Sequence, residues 1–363
     1  MMPAPCMSAR PWLPPWCIWH PVSRSGDSVP GFCGRTMLDR MHIGDKTIAP
    51  ALVCAPMAGI THSAFRRLLA DFGGYGALHT EMLSGDALLH EDLARSPFTK
   101  RRACEGIVFF QLALSGRENI EAVVGRLASA NPGGIDLNLG CPAPDIRKAG
   151  AGIALFSDLD RLDSVLARIR GAWNGALTVK CRLGSNPQDW KPAFEERLRV
   201  FERHGIHALT VHPRFFKEKL KRTARREHFA WIASRTRIPI IANGDIVSPN
   251  QLSGIEGASA VMLGRIAAAR PWVFREFSGE RVAPDYGGVW EGFCDYVLED
   301  FAPEKAIGRI KEFAAYYSRN FFFGHELYRA AQGARGLDQL RERVRAFLSR
   351  NPRTVRTPSF GGV

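Results

Sequence analysis

No run of about 18 consecutive apolar residues occurs in the 363-residue chain, so no membrane-spanning helix is indicated. A secretory signal is missing as well, because prolines between Pro11 and Pro15 interrupt the one early apolar candidate. The eight cysteines lack the spacing of a metal site, and without a secretory signal they read as reduced thiols of a cytoplasmic protein. Acidic residues are in deficit. With 36 Asp and Glu against 49 Lys and Arg, the formal net charge is +13 and the pI about 9.7. Such a balance favours a polyanionic partner, nucleic acid ahead of a membrane surface.

What is present is enough apolar material, 45% of residues, to bury one large domain and a smaller one. The first 40 residues stand apart. They hold seven prolines, three tryptophans and three cysteines with no helical or strand period. This segment is expected to be a disordered or weakly ordered extension, with Met37 or Met41 as an alternative start. The rival reading is a structured cap built on Trp12, Trp16 and Trp19.

From Met41 onward, short β-branched runs alternate with amphipathic stretches, the pattern of a parallel sheet built from βα units. The strands are expected at 51–55, 77–80, 107–112, 134–138, 177–181, 208–212, 239–243 and 260–263. Helices are expected at 63–71, 117–130, 159–173, 192–204, 227–236 and 248–255. Eight units predict an α/β fold, a closed (β/α)8 TIM barrel over residues 41–280. An open doubly wound sheet would carry an early Gly-rich turn, which is absent after the first strand. A C-terminal all-α domain is expected over 281–350, with helices at 290–299, 303–319, 326–334 and 338–349. Residues 351–363 read as a disordered tail.

Polar residues gather where the strands end, and in a TIM barrel those ends converge on the active-site mouth. Asn243-Gly244-Asp245 and Gly264-Arg265 end the last two strands, placing glycines and an arginine where such barrels bind phosphate. Lys180 interrupts a run that would otherwise be wholly buried, which implies an anionic or electron-rich ligand beside it. Gln111, His212, Arg182 and Asn138 lie at other strand ends. Cys141 follows Gly140 and precedes Pro142 in a loop that holds its side chain over the mouth. A thiol there can act as nucleophile, metal ligand or general acid. No second cysteine or suitable histidine lies near it in sequence, so no metal is expected. Cys54, Cys104, Cys181 and Cys294 read as apolar fillers.

The motifs at 55–61 (APMAGIT), 80–82 (TEM), 136–142 (DLNLGCP), 148–152 (KAGAG), 178–184 (TVKCRLG), 209–212 (LTVH), 241–246 (IANGDI) and 262–265 (MLGR) resemble, in order, those of bacterial tRNA-dihydrouridine synthases. The resemblance runs from about Met41 to about Leu348. It implies an NADPH-reduced FMN whose N5 delivers hydride to C6 of a tRNA uridine, with the thiol of Cys141 protonating C5. It further implies that Pro56, Met57, Ala58, Gln111, Lys180, His212, Asn243, Gly244, Asp245, Gly264 and Arg265 hold FMN. His212 could instead help hold the substrate base. Asn138, Arg182 and Arg214 are expected at the substrate. A basic surface for tRNA would combine residues 214–226, which carry seven basic residues against one acidic with Phe215 and Phe216 beside them for unstacked bases, with arginines of the helical domain. No obligate protein partner is evident, and a monomer is expected.

Two departures from the family's pattern stand out: His62 where an aspartate is common, and Pro213-Arg214-Phe215 after His212. Two rivals remain open. One is another flavin barrel acting on a small pyrimidine, and the other a non-catalytic RNA-binding protein built on the same fold.

Overall fold

A computed structural model describes residues 38–360 apart from 186, 219 and 221. The expectation for the N-terminal extension therefore falls mostly outside the described residues. Leu38 lies inside them, and its carbonyl accepts the Ala51 N–H at 2.8 Å.

The described chain opens with a hairpin, β1 (Met41–Ile43) and β2 (Lys46–Ile48). The first four barrel units are β3 (Leu52–Cys54) with α1 (Ser63–Phe72), β4 (Leu78–Ser84) with α2 (Gly85–His90), β5 (Val108–Ala113) with α3 (Ile120–Ser129), and β6 (Gly134–Leu139). After β6 come α4 (Pro144–Lys148), α5 (Ile153–Ser157) and α6 (Leu159–Ala172). Then follow β7 (Leu177–Gly184) with α7 (Trp190–Arg203), β8 (Ala208–Phe215) with α8 (His228–Ala233), and β9 (Ile240–Asn243). The last unit is β10 (Ala260–Leu263) with α9 (Arg265–Ala269) and α10 (Val273–Phe277). Four longer helices complete the chain: α11 (Tyr286–Asp300), α12 (Pro303–Tyr317), α13 (Gly324–Gln332) and α14 (Leu337–Leu348).

The eight strands β3 to β10 pair in parallel in the order β3-β10-β9-β8-β7-β6-β5-β4. A bridge from Val53 to Ala77 and a 3.0 Å bond from the Cys54 N–H to the Ala77 carbonyl join the two ends. This is the expected barrel. Strands β4, β7 and β8 run past their expected ends, with register irregularities at His79/Met82 and Arg182/Gly184 that let polar residues stay in the ladder. The expected helix at 248–255 is instead a 3-10 turn, Pro249–Gly254, capped reciprocally by Ser248 and Gln251.

Alternation along the strands explains both the core and the site. Leu52, Cys54, Val108, Phe110, Ile135, Leu137, Val179 and Val211 face outward into a core shared with the helices. Val53, Phe109, Ile241 and Met262 belong to a separate interior cluster. Alanines at strand starts (Ala51, Ala77, Ala208, Ala260) and Ala176 leave room there for Met41, Ile43 and Ile48 of the hairpin, which plugs the base. Higher up, the inward parity brings Gln111, Asp136, Asn138, Thr178, Lys180, Arg182, His212 and Asn243 to the mouth.

Helices α11 to α14 pack on the barrel through a core continuous with its outer layer. Polar groups lock the seam. Asp300 accepts Lys100 Nζ at 2.7 Å, Arg102 at 2.8 Å and the Ser63 hydroxyl, and these bonds outweigh burial to hold its carboxyl below the usual range. The wholly buried Arg66 pairs with Glu105 at 3.0 Å and donates to two backbone carbonyls. The tail expected to be disordered is tied down as far as Phe360. The Phe322 N–H donates to Arg353 O at 3.0 Å and the Val355 N–H to Asn320 O at 2.8 Å. Hydrogen bonds to a buried loop provide the order that the tail's composition does not.

His62, at the N-cap of α1, is buried with both ring nitrogens unpaired, edge-on to Phe301 at 4.9 Å. Burial, with Arg309 and Arg66 adding repulsion, pulls its pKa down to about 3. A neutral imidazole is therefore required by the fold. The stability tied to it is complete above about pH 6.5 and is lost as pH falls toward 3. We expect His62→Leu to leave stability at neutral pH unchanged or higher, because an orphaned polar group is removed. Its acid limb should be shallower than that of the parent protein. Chemical denaturation at several pH values checks this, and parallel acid limbs would refute it.

Candidate active site at the barrel mouth

A cavity of about 280 Å³ opens at the C-terminal ends of β3, β7, β8, β9 and β10. Pro56, Met57, Ala58, Lys180, His212, Asn243, Gly244, Asp245, Gly264 and Arg265 all line it, as does Arg182. Gln111, the remaining residue expected at the cofactor, lies outside this lining. The sequence reading missed Tyr316 and Phe360, which reach the cavity from α12 and from the tail. Period-2 patterning carries no signal for either, because both arrive by tertiary contact.

The cavity is rich in cations. Lys180 makes no hydrogen bond or ion pair with any described residue, and burial followed by Arg182 lowers its pKa to about 8. Asp245 is the carboxylate at this end. Its Oδ2 accepts Arg214 at 2.5 Å and the Ala224 N–H at 2.9 Å, and its Oδ1 accepts Arg265 at 2.7 Å. Burial opposes the charge on Asp245, but these partners outweigh it and lower the pKa. Arg214 also donates to His212 Nε2 at 2.6 Å, which makes that nitrogen an acceptor and the ring neutral. Burial and then the nearby cations Lys180, Arg182, Arg214 and Arg265 push the His212 pKa well down, in agreement. Gly244, at φ +122°, allows this approach: a Cβ there would come within 2.8 Å of the imidazole.

Arg214 thus differs from its expected role. It is 2% exposed and spends its guanidinium on His212, Asp245 and the Arg222 carbonyl, so it supports the cavity wall rather than the substrate. The inward parity of β8 continues from His212 to Arg214, a signal that a longer strand would have revealed. Phe215 and Phe216, expected beside RNA, are buried against Trp190 and Phe156. Arg225 pairs with Glu218 at 2.6 Å, leaving Lys217 and Arg222 exposed on that segment. In the helical domain Arg309, Lys311 and Arg341 are engaged within the protein, whereas Arg329, Arg335 and Arg343 stay exposed without an ion pair to any described residue.

Beside the cavity, a buried hydrogen-bond chain sets the Cys141 loop. Asp136 accepts Thr178 Oγ1 and Gln111 Nε2, each at 2.7 Å. Gln111 Oε1 accepts Asn138 Nδ2 at 2.8 Å, and Asn138 Oδ1 accepts the N–H groups of Gly140 at 3.1 Å and Cys141 at 3.0 Å. Asn138 therefore positions the loop, whatever it contributes to substrate. Gly152, at φ +61°, closes the other side, since a Cβ there would lie 2.7 Å from the Cys141 carbonyl oxygen. Among the described cysteines, Cys141 is the one that is partly exposed at the mouth. Cys54 and Cys181 are buried fillers whose pKa burial raises to about 12, and Cys104 is exposed rather than the filler it was expected to be.

A family model described as Dihydrouridine synthase (Dus) matches residues 53–307. The chain belongs to the dihydrouridine synthase family. It is accordingly a flavin-dependent oxidoreductase. The chain is 34% identical over 255 residues to tRNA-dihydrouridine synthase B of Proteus vulgaris, covering 67% of this chain and 77% of that one. It is 32% identical over 293 residues to tRNA-dihydrouridine synthase B of Escherichia coli K12, covering 76% and 89%. An old yellow enzyme homologue from Zymomonas mobilis superposes with a TM-score of 0.51 at 13% identity, covering 72% of this chain and 99% of that one. At that identity the likeness is one of fold.

The donor set suits a flavin phosphate and ring: an unpaired ammonium, a clamped guanidinium and glycine turns beside it. Flavin affinity should weaken as pH rises through about 8, where Lys180 loses its proton. In Lys180→Met the affinity should be lower and that pH dependence absent. Fluorescence titration of flavin-free protein across this range measures both, and the same pH dependence in the variant would remove the assignment.

Proposed function

We propose that this chain reduces the C5=C6 bond of uridines in tRNA to 5,6-dihydrouridine, using FMN as its flavin and NADPH as reductant. Bound flavin supplies the hydride that C6 receives. Cys141 holds the proton destined for C5, where charge builds as the hydride arrives. The placement of this thiol carries the reading: it is partly exposed, fixed by Asn138 and Gly152, and adjoins Arg182 and the Lys180 cavity.

Lys180 would stabilise negative charge on the pyrimidine end of the reduced ring, and Arg265 with the Gly244 and Gly264 backbone would hold the phosphate. Arg182 packs against Gly140 of the Cys141 loop and would face the substrate. A uridine inside folded RNA must be extruded to reach the mouth, which costs a few kcal/mol and calls for grip over a wide area. Lys217, Arg222, Arg329, Arg335 and Arg343 offer exposed charge for that grip. The tRNA reading draws support from the relatives' names, and a helical domain and basic surface have no use on a small pyrimidine. No helix of the described residues is long and apolar enough to cross a membrane. A cytoplasmic monomer fits this reading.

Cys141→Ala should lower dihydrouridine formation by about 100-fold to 10,000-fold while leaving flavin bound, the range expected for loss of a positioned acid. Mass spectrometry of tRNA after incubation, with absorbance for the flavin, tests it; turnover at the parent rate would sink the acid assignment. Affinity for tRNA should fall about a hundredfold between about 50 and 200 mM salt if about four phosphates are neutralised. A flat response, or turnover of free small pyrimidines, would favour the small-molecule rival.

A further inference from the structure

The tail is anchored away from the cavity and reaches it at Phe360. Its anchor is Asn320, a fully buried side chain whose Nδ2 donates to Ala269 O at 2.7 Å and whose Oδ1 accepts Arg270 Nε at 3.0 Å. Arg270 in turn donates to the Val355 carbonyl at 2.8 Å, and Thr354 bridges Phe321. Beyond this anchor Pro358 is buried, and Phe360 reaches the mouth. Its carbonyl accepts Arg265 Nη1 at 3.2 Å, and its ring lies 5.3 Å from the guanidinium carbon.

Arg265 is therefore held from two sides, by Asp245 at 2.7 Å and by Phe360. We infer that residues 353–360 are a strap belonging to the flavin site, with Phe360 walling the cavity and steadying Arg265 so that release of the flavin is slowed. The strap lines the site without filling it, since about 280 Å³ stays open beside Phe360. An aromatic wall excludes water from one flank of the guanidinium, and a cation in a less polar setting attracts an anion more strongly. A guanidinium already fixed in place also loses less freedom when the anion binds.

The inference rests on the flavin reading above, and the experiment separates the two. The FMN-loaded 363-residue protein is compared with a chain ending at Val355, which keeps the Asn320 anchor, and with Phe360→Ala, which keeps the tail's backbone. Release is followed by recovery of flavin fluorescence on dilution, and thermal unfolding of the flavin-free proteins reports on folding. The truncation should raise the FMN dissociation constant about tenfold and Phe360→Ala about threefold, the scale of losing part of one buried aromatic contact. The flavin-free unfolding midpoints should match. Unchanged affinity in both variants, from a parent that does load FMN, would overturn the strap alone. Tighter binding after truncation would overturn it too, marking the tail as an obstruction. A parent that takes up no FMN under any condition would refute the flavin reading and the strap together.

Discussion

Around one cavity the fold assembles Lys180, Arg182, Arg214 and Arg265 against the carboxylate of Asp245. This excess of positive charge in a partly desolvated mouth is the constraint to which the neighbouring groups are adapted. Burial, reinforced by that charge, keeps His212 neutral and lowers the affinity of Lys180 for its proton, and the Lys180 ammonium has no hydrogen bond or ion pair among the described residues. An anion satisfies such a site better than any rearrangement of its own side chains can. Asp245 apportions the charge. By bridging Arg214 and Arg265 it turns one guanidinium into wall and leaves the other facing the cavity.

The Cys141 loop is built by different means. Its geometry comes from a relay of hydrogen bonds that starts at the buried carboxylate of Asp136 and passes through Gln111 to Asn138 and so to the backbone of Cys141. Buried networks of this kind hold when every member is satisfied. Rigidity on the thiol side and an unsatisfied field on the cofactor side are complementary. The first fixes where the sulfur sits, and the second sets what charge is welcome beside it.

Much of this was legible in the sequence for a physical reason: two-residue alternation both builds a barrel and aims its polar residues inward. The eight strands, the cation at Lys180, the glycine turns after β9 and β10, and the exposed thiol follow from that pattern and from the family motifs. The hairpin β1–β2 was not legible, because three-residue strands have too short a period to register. Arg214, Phe215 and Phe216 were misread because a run of charge looks like a solvated loop, whereas β8 continues through Phe215 and alternation sends these side chains inward or into the core. Tyr316 and Phe360 come from elements distant in sequence, and the tail is ordered by bonds to a loop about 30 residues before it and to the side chains of Arg270 and Arg265.

The pairing of β6 with β7 sets Asn138 beside Lys180 and Leu139 beside Cys181. One added or deleted residue within either strand would turn the polar side chains out under the helices and bring leucine, valine and cysteine into the mouth. A change of length that keeps this site has therefore to fall in the connections beyond these strands. The spacing between the thiol and the lysine is thus a fixed frame of this fold, while the outer loops can change length without disturbing it.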